Sequence, residues 1–356
     1  MGKRAGTLIG GMVRKMEISV IIPCYNAEEY IDRCLKSVME QTIGLDMYEV
    51  ILVNDASTDG TLEKLYQWEE KYPDNIMVVT YDENIRQGGA RNVGFQYSRG
   101  KYIGYVDDDD WLEPDMLEVL YEKISTGKYD VVKGKCIREN AKGEKTIPTE
   151  NRQDVEYHFA AKNGLFFGKV EKYGNCGMYA GIWGLYKKEL FTENNVFFPE
   201  KMTYEDNFWE SVLRLYVKSI YIVDKVVYHY FFNPRSTITS VNAKHHFDRL
   251  KIEVLKVEEL KKRGAFDLFY REIEWDFLRL FYLNTWHIFF TRFTYIPDVY
   301  ADMKKTIVDL FPDYKNNPYI KTTIPIYKEL LSMLDMEHNF TVEDLEVVKK
   351  AYLSSE

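Results

Sequence analysis

Four short runs of aliphatic and β-branched residues recur in the first third of the chain, separated by segments of helical period. They are Ile18-Ser19-Val20-Ile21-Ile22, Val50-Ile51-Leu52-Val53, Ile76-Met77-Val78-Val79 and Tyr102 to Val106. Runs with so little polar alternation suit strands covered on both faces, as in a parallel sheet. Tyr30, Ile31, Leu35 and Val38 follow a helix start at Asn26-Ala27-Glu28-Glu29, and Leu62, Leu65 and Trp68 follow a cap at Thr58. Gly88 to Tyr97 reads as a third helix. The alternation predicts βαβ units and hence an α/β fold, a mostly parallel sheet flanked by helices. Ligands of such sheets bind outside the carboxyl ends of the strands. Three polar clusters are therefore expected on one edge: Pro23-Cys24-Tyr25-Asn26, Asn54-Asp55 and Asp107-Asp108-Asp109-Asp110.

The last of these is the most demanding. Four consecutive carboxylates repel one another, which a solvated turn can tolerate, but the β-rich run before them and Trp111 after them argue for the rim of a packed sheet. A hard divalent cation bound through oxygen would neutralise them there. The chain as a whole is acidic, with 47 Lys and Arg against 56 Asp and Glu and a formal net charge of -9, so nucleic acid is not expected as a partner. The four cysteines, Cys24, Cys34, Cys136 and Cys176, are scattered without a Cys-x-x-Cys pair, which argues against a structural zinc site or a disulfide framework. No apolar run reaches the roughly 18 to 20 residues of a spanning helix, and Met1 to Lys15 lacks the apolar core of a signal peptide. The expectation is a cytoplasmic protein, with peripheral contact at the inner face of the membrane left open.

Further on, Val131-Val132 reads as a strand and Tyr186 to Phe191 as a helix. Met202 to Trp209 opens another helix with Glu205 and Asp206 in its first turn, where the helix dipole favours acids. Ile220 to Val223 and Val226 to Tyr230 suggest a β-hairpin about Asp224-Lys225. From about His245 the period becomes helical, and Thr341-Val342-Glu343-Asp344 can cap the last helix. The implied division is an N-terminal extension over 1–16, a catalytic region over 17–240 and a helical C-terminal extension over 241–356. The run Phe277 to Phe290 is apolar nearly all round. Burial against the rest of the chain is its default reading, with a homo-oligomer contact or a bilayer surface as alternatives.

Dinucleotide and P-loop sites both need glycines in the turn after a strand, and neither motif occurs. Instead, six segments in order resemble the inverting glycosyltransferases of family 2, of the type found in bacterial glycan synthesis, which have the GT-A fold. These are Ser19 to Asn26, Val53 to Thr61, Ala90-Arg91-Asn92, Gly100 to Trp111 with Pro114-Asp115, Trp183 to Phe191, and Tyr204-Glu205-Asp206. The resemblance covers roughly Glu17 to Thr239.

The resemblance implies a role for each matched residue. Asp55, otherwise an ordinary turn residue, would read the nucleobase, since a carboxylate accepts the N3 proton of uracil. Pro23 and Tyr25 would line the same pocket. Asp107 and Asp109 fall on the outer positions of the family's Asp-x-Asp motif and would hold Mg2+ or Mn2+, with Asp108 in place of the usual Ser among the donor-binding residues. Arg91 would support the base or the acidic block by bidentate pairing, and Arg235 with Ser236 would close over the diphosphate. Asp206, with Glu205 beside it, would be the base for the acceptor hydroxyl. Trp183, more often a core residue, would wall the acceptor site. The expected activity is metal-assisted, inverting transfer of a sugar from a nucleoside diphosphate sugar, with a UDP-sugar favoured, to a hydroxyl of a glycan or lipid-linked acceptor. A sugar-nucleotide nucleotidyltransferase, or a silent nucleotide-sugar or glycan-binding module, is the alternative.

Overall fold

A computed structural model describes residues 16–146, 154–158, 182–234, 236 and 239–355. Four of the predicted strands are present as β1 (Ile18–Cys24), β2 (Tyr48–Asn54), β3 (Ile76–Thr80) and β4 (Tyr102–Tyr105). They lie parallel in the order β3-β2-β1-β4. Although β1 and β2 are buried along their whole length, their residues still divide between two faces. Ile18, Val20 and Ile22 join one core with Ile31, Leu35 and Val38 of helix α1 (Ile31–Met39). Ile21, Ile51 and Val53 join another core with Ala90 and Phe95 of helix α3 (Arg86–Tyr97). Two-sided burial explains why these strands read as continuous apolar runs.

Beyond β4 the sheet becomes mixed. The order continues β4-β9-β6-β10-β5, where β5 is Trp111–Leu112, β6 Val131–Asn140, β9 Gly184–Lys187 and β10 Ser219–Phe232. Strand β9 is antiparallel to both of its neighbours, and β10 is parallel to β6. Short strands β7 (Lys145–Thr146) and β8 (Val155–His158) add to β6 and β10. Helices α2 (Thr61–Lys71) and α4 (Met116–Ile124) complete the connections.

Two local expectations are corrected. Residues 186–191 are not one helix: Gly184–Lys187 is strand and only Glu189–Thr192, α5, is helical. The cause is a period of two, since Leu185 packs into one core and Tyr186 into the opposite one. Nor is there a hairpin about Asp224-Lys225, because Ser219–Phe232 is one strand of 14 residues. The turn-like pair falls in a register shift between Ile222 and Val226, where a bulge absorbs it. Asp224 N there donates to Asp154 Oδ1 at 2.7 Å. The predicted caps also differ: Asn26 Oδ1 accepts from Thr58 N at 2.8 Å and Glu28 Oε2 from Gly60 N at 3.0 Å. Asn26 and Glu28 thus fasten the turn ahead of α2 instead of capping α1, and Asp59, not Thr58, accepts from the first amide of α2, Thr61 N, at 3.0 Å.

After α6 (Glu205–Leu213) and β10, the chain is helical: α7 (Asp248–Lys262), α8 (Tyr270–Phe277), α9 (Asn284–Arg292), α10 (Tyr300–Leu310), α11 (Pro325–Met333) and α12 (Val342–Ser355). A π-helical stretch, Leu278–Leu283, joins α8 to α9. Thr341 and Asp344 form the expected reciprocal cap of α12, with Asp344 N donating to Thr341 Oγ1 at 3.2 Å and Thr341 N to Asp344 Oδ2 at 2.9 Å. The aromatic run lies inside this region: Phe277, Phe281, Tyr282, Trp286, Phe289 and Phe290 are all buried in its core. Among the described residues no helix is long and apolar enough to cross a membrane.

Candidate active site

The carboxyl ends of β1, β2 and β4 meet on one edge, and hydrogen bonds tie their loops together. Asp55 N donates to Cys24 O at 2.8 Å, and Tyr25 N donates to Asp108 Oδ2 at 2.9 Å. Pro23 is buried inside β1, opposite Val53. Ile21 O accepts from Val106 N on the β4 side, and Pro23, two residues on, faces the same way past the end of β4. Its missing N–H therefore costs the sheet nothing. Tyr25 is half exposed beside it.

Asp55 is buried at the end of β2, and its Oδ1 accepts from Ile85 N at 2.7 Å. Burial raises its pKa, partly offset by that amide. The loop carrying Ile85 also anchors through Asn84 Nδ2, which donates to Asp55 O at 3.0 Å.

The four aspartates after β4 are divided by their partners. Asp110 is buried and wholly internal: Tyr228 Oη donates to its Oδ2 at 2.7 Å and Phe231 N to its Oδ1 at 2.7 Å. Asp108 accepts from Tyr25 N, as above. Asp107 Oδ1 accepts from Arg91 at 2.7 Å and from Gln87 Nε2 at 3.1 Å. Asp109 Oδ2 accepts from Asn233 Nδ2 at 3.1 Å, while Arg33 donates to the Asp109 carbonyl at 2.6 Å. Crowding has the expected electrostatic effect. Burial, then the charge of Asp107, pushes Asp109 up to about 6, and burial with Asp109 pushes Asp108 and Asp110 well above the usual range.

Arg91, on α3, links this block to the second acidic cluster. Its guanidinium is buried and spans two carboxylates, Asp107 at 2.7 Å and Glu205 at 2.6 Å, instead of doubling on one. Burial opposes its charge, but Asp107 and Glu205 outweigh burial and raise its pKa. Helix α3 approaches closely because of Gly88: a Cβ there would stand 2.5 Å from Pro199 O and 2.9 Å from Glu205 Cγ. Glu205 and Asp206 open α6, as the sequence predicts. Glu205 is buried and its pKa raised by burial, against the pull of Arg91. Asp206 is partly buried, and burial and then Glu205 push it up to about 7.

Trp183 lies just before β9, its ring 6.1 Å from that of Tyr228 and packed at the edge of the sheet core. Ser236 is tied into its own turn, its N donating to Asn233 O at 3.0 Å. The expected phosphate contact, Arg235, lies outside the described residues. His229 is occupied as a structural residue, with Nε2 2.7 Å from Glu113 Oε1 and its ring stacked on Trp111 at 4.8 Å. Sequence reasoning missed Gln87, Tyr228 and Asn233 as partners of the acidic block. Tyr228 alone had a signal, its inward place in the alternation of β10; the other two are polar residues among polar residues.

Residues 19–194 match the sequence model of Glycosyl transferase family 2. The chain belongs to that family. Similar proteins include the poly(ribitol-phosphate) β-glucosyltransferase of Bacillus spizizenii, 32% identical over 218 residues, which are 60% of this chain and 32% of that enzyme. The chain thus spans about a third of that enzyme's length. The putative glycosyltransferase EpsH of Bacillus subtilis is 27% identical over 266 residues, covering 72% of this chain and 73% of EpsH. Among solved structures, Staphylococcus aureus TarS 1-349 in complex with UDP-GlcNAc aligns with a TM-score of 0.64 at 21% identity, over 96% of this chain and 93% of that one. At that identity the likeness speaks for the fold, which includes the helical C-terminal region.

Proposed function

We propose that this family 2 glycosyltransferase moves a sugar from a UDP-sugar to a hydroxyl of a glycan or lipid-linked acceptor, with inversion. The observation that carries the reading is Asp206: a carboxyl held near neutrality at the start of α6, one residue from the Arg91 bridge that ends on Asp107. A group with a pKa near the working pH is suited to proton transfer. The acceptor oxygen attacks the anomeric carbon from the face opposite the diphosphate while Asp206 takes its proton. The bond from that carbon to the diphosphate oxygen breaks, and its electron pair leaves with the UDP.

The donor set suits a hard divalent cation, Mg2+ or Mn2+. Asp107 and Asp109 each have one oxygen held by protein groups, which leaves the second oxygen of each for a metal. Among the described residues no group of three His, Cys, Asp or Glu side chains is placed to hold an ion. The two aspartates would therefore hold it together with diphosphate and water. When bound, such an ion offsets negative charge on the departing diphosphate. Asp55 presents a carboxylate at the end of β2, held by Ile85 N with Tyr81 and the Arg86 amide also against it, and such an acceptor suits the N3 proton of uracil. A UDP-sugar is also what TarS, of the same fold, holds in its crystal structure.

Release of UDP from UDP-glucose, UDP-galactose and UDP-GlcNAc, with mass spectrometry of the product, tests the activity. Asp206→Asn should abolish transfer and leave calorimetric affinity for UDP with Mn2+ nearly intact; full activity removes the base assignment. Asp109→Ala should lose the Mn2+-dependent part of UDP affinity, and unchanged binding sinks the metal role.

A further inference from the structure

Tyr204, the residue ahead of the Glu205-Asp206 pair, has a φ of 66°. This left-handed conformation is strained for a bulky side chain and persists where the surroundings enforce it. The enforcing groups come from the helical region. Tyr204 Oη lies 2.7 Å from His246 Nδ1, and His246 Nε2 lies 2.9 Å from the carbonyl of Ser240. A carbonyl only accepts, so Nε2 carries a hydrogen and donates it to Ser240. Nδ1 of the neutral ring is then bare and accepts the phenol hydrogen. Burial holds His246 below its ordinary pKa, against the pull of Ser240 O, which agrees with a neutral ring.

Two further contacts fix the same turn. Arg249 places its guanidinium 4.9 Å over the Tyr204 ring. Its Nε also donates to Leu280 O at 3.1 Å, a carbonyl of the π-helical stretch. Thr203 N donates to Asp248 Oδ2 at 3.3 Å. Residues 246–249 thus hold 203 and 204 by a phenol, a ring face and a backbone amide. What this controls is visible in the next two residues. Glu205 is anchored by Arg91, whereas the Asp206 carboxylate takes its hydrogen bond from the next amide, Asn207 N, at 3.0 Å. The backbone of the turn therefore sets where Asp206 points.

We propose that Tyr204 and His246 are positioning residues that hold Asp206 in line with the acceptor hydroxyl, so that the helical region acts on transfer without touching the donor. This rests on the reading of Asp206 as the base. A base misplaced by about 1 Å loses on the order of a hundredfold in rate. Tyr204→Phe and His246→Ala should accordingly lower kcat for UDP release by about ten- to a hundredfold. The donor KM and the calorimetric Kd for UDP with Mn2+ should stay within about twofold, because the donor groups are untouched.

Conservative rescue separates this from general damage. In His246→Asn the amide oxygen stands where Nδ1 was and can accept the phenol hydrogen, so most of the rate should return. His246→Gln places its amide nearer the Nε2 position and should not restore it. Any slow UDP release that survives in Asp206→Asn should fall no further when Tyr204→Phe is added, since both act through one group. Wild-type kcat in Tyr204→Phe overturns the proposal, and so does a parallel loss of rate and UDP affinity, the mark of a merely structural residue. If Asp206→Asn is inactive while Tyr204→Phe keeps the wild-type kcat, the positioning role falls and the base stands. If Asp206→Asn turns over fully, the base assignment itself fails and takes the positioning role with it.

Discussion

The Asp206 carboxyl serves catalysis and stability in opposite ways. Its pKa is raised to about 7 by burial and by Glu205 beside it. As the base it must be ionised, so turnover should climb as pH rises through about 7 and level off above; a rate independent of pH between 6 and 8 would contradict this. For stability the sign reverses. Between about pH 4 and 7 the folded protein retains a proton that the unfolded chain has released, so stability falls as pH rises through that window. Asp206→Asn carries no charge and should be more stable than the wild type at pH 8, by about 1 to 3 kcal/mol after allowance for partial exposure. Thermal melts at pH 8 and pH 4 check it: the gap should close at pH 4. Equal melting at pH 8 would show that Asp206 is not strained by its site. Arg91 has the converse role. Removing it as Arg91→Ala leaves Asp107 and Glu205 facing each other without a cation, a loss of about 3 to 5 kcal/mol in urea denaturation. A loss below 1 kcal/mol would mean that water takes over both carboxylates.

Helix α3 shows how much of the site was written in the sequence and how much in packing. Its span, its place after β3 and the importance of Arg91 were all legible, because a helical period and a charged residue in a matched segment are local signals. The pairing of Arg91 with the acidic block was legible too, but its second partner was not: Glu205 lies 114 positions away, and only the fold brings α3 against α6. Gly88 makes that approach possible. Gly88→Ala would put a methyl carbon against Pro199 O and Glu205, so α3 must shift outward and draw Arg91 with it. The expected loss is about 1 to 3 kcal/mol of stability. Activity should fall more than that implies, because Arg91 no longer reaches both partners. Unaltered kcat in Gly88→Ala would mean that α6 yields instead. The misread segments have the same origin. Asp224-Lys225 has turn chemistry, but continuous pairing of β10 with β6 converts the turn into a bulge. Residues 186–191 look helical until β4 and β6 supply edges on either side. The bond from Asn233 to Asp109 spans 124 positions and has no local trace.

The helical region is joined to the catalytic region by more than the Tyr204 contact. Leu215, just after α6, is buried in the helical core beside Val257 and Leu260. Arg263, after α7, donates through one nitrogen to Asn194 O at 2.8 Å and Tyr216 Oη at 2.8 Å, and through another to Asn195 O at 2.9 Å. Inside the helical region Lys256 is fully buried, bonded to Asp276 at 2.8 Å and paired with Glu253, while Arg279 adds a second cation on Asp276 at 2.7 Å. Burial works against the charge of Asp276, but the two cations hold its pKa well below the usual carboxylate range. Lys256→Met keeps the apolar stem and removes the charge, leaving Glu253 buried without its cation, a loss of about 3 to 5 kcal/mol. Where that loss appears depends on the coupling between the regions. If the shared core and the Arg263 bonds bind them into one unit, the whole chain unfolds in a single transition that shifts as a block. Far-UV circular dichroism, dominated by the helices, and the loss of calorimetric UDP binding should then move together along the urea axis in Lys256→Met. A helical transition that precedes the loss of UDP binding would show two independent units. The turn at Tyr204 would then keep its place without the helices that now enforce it.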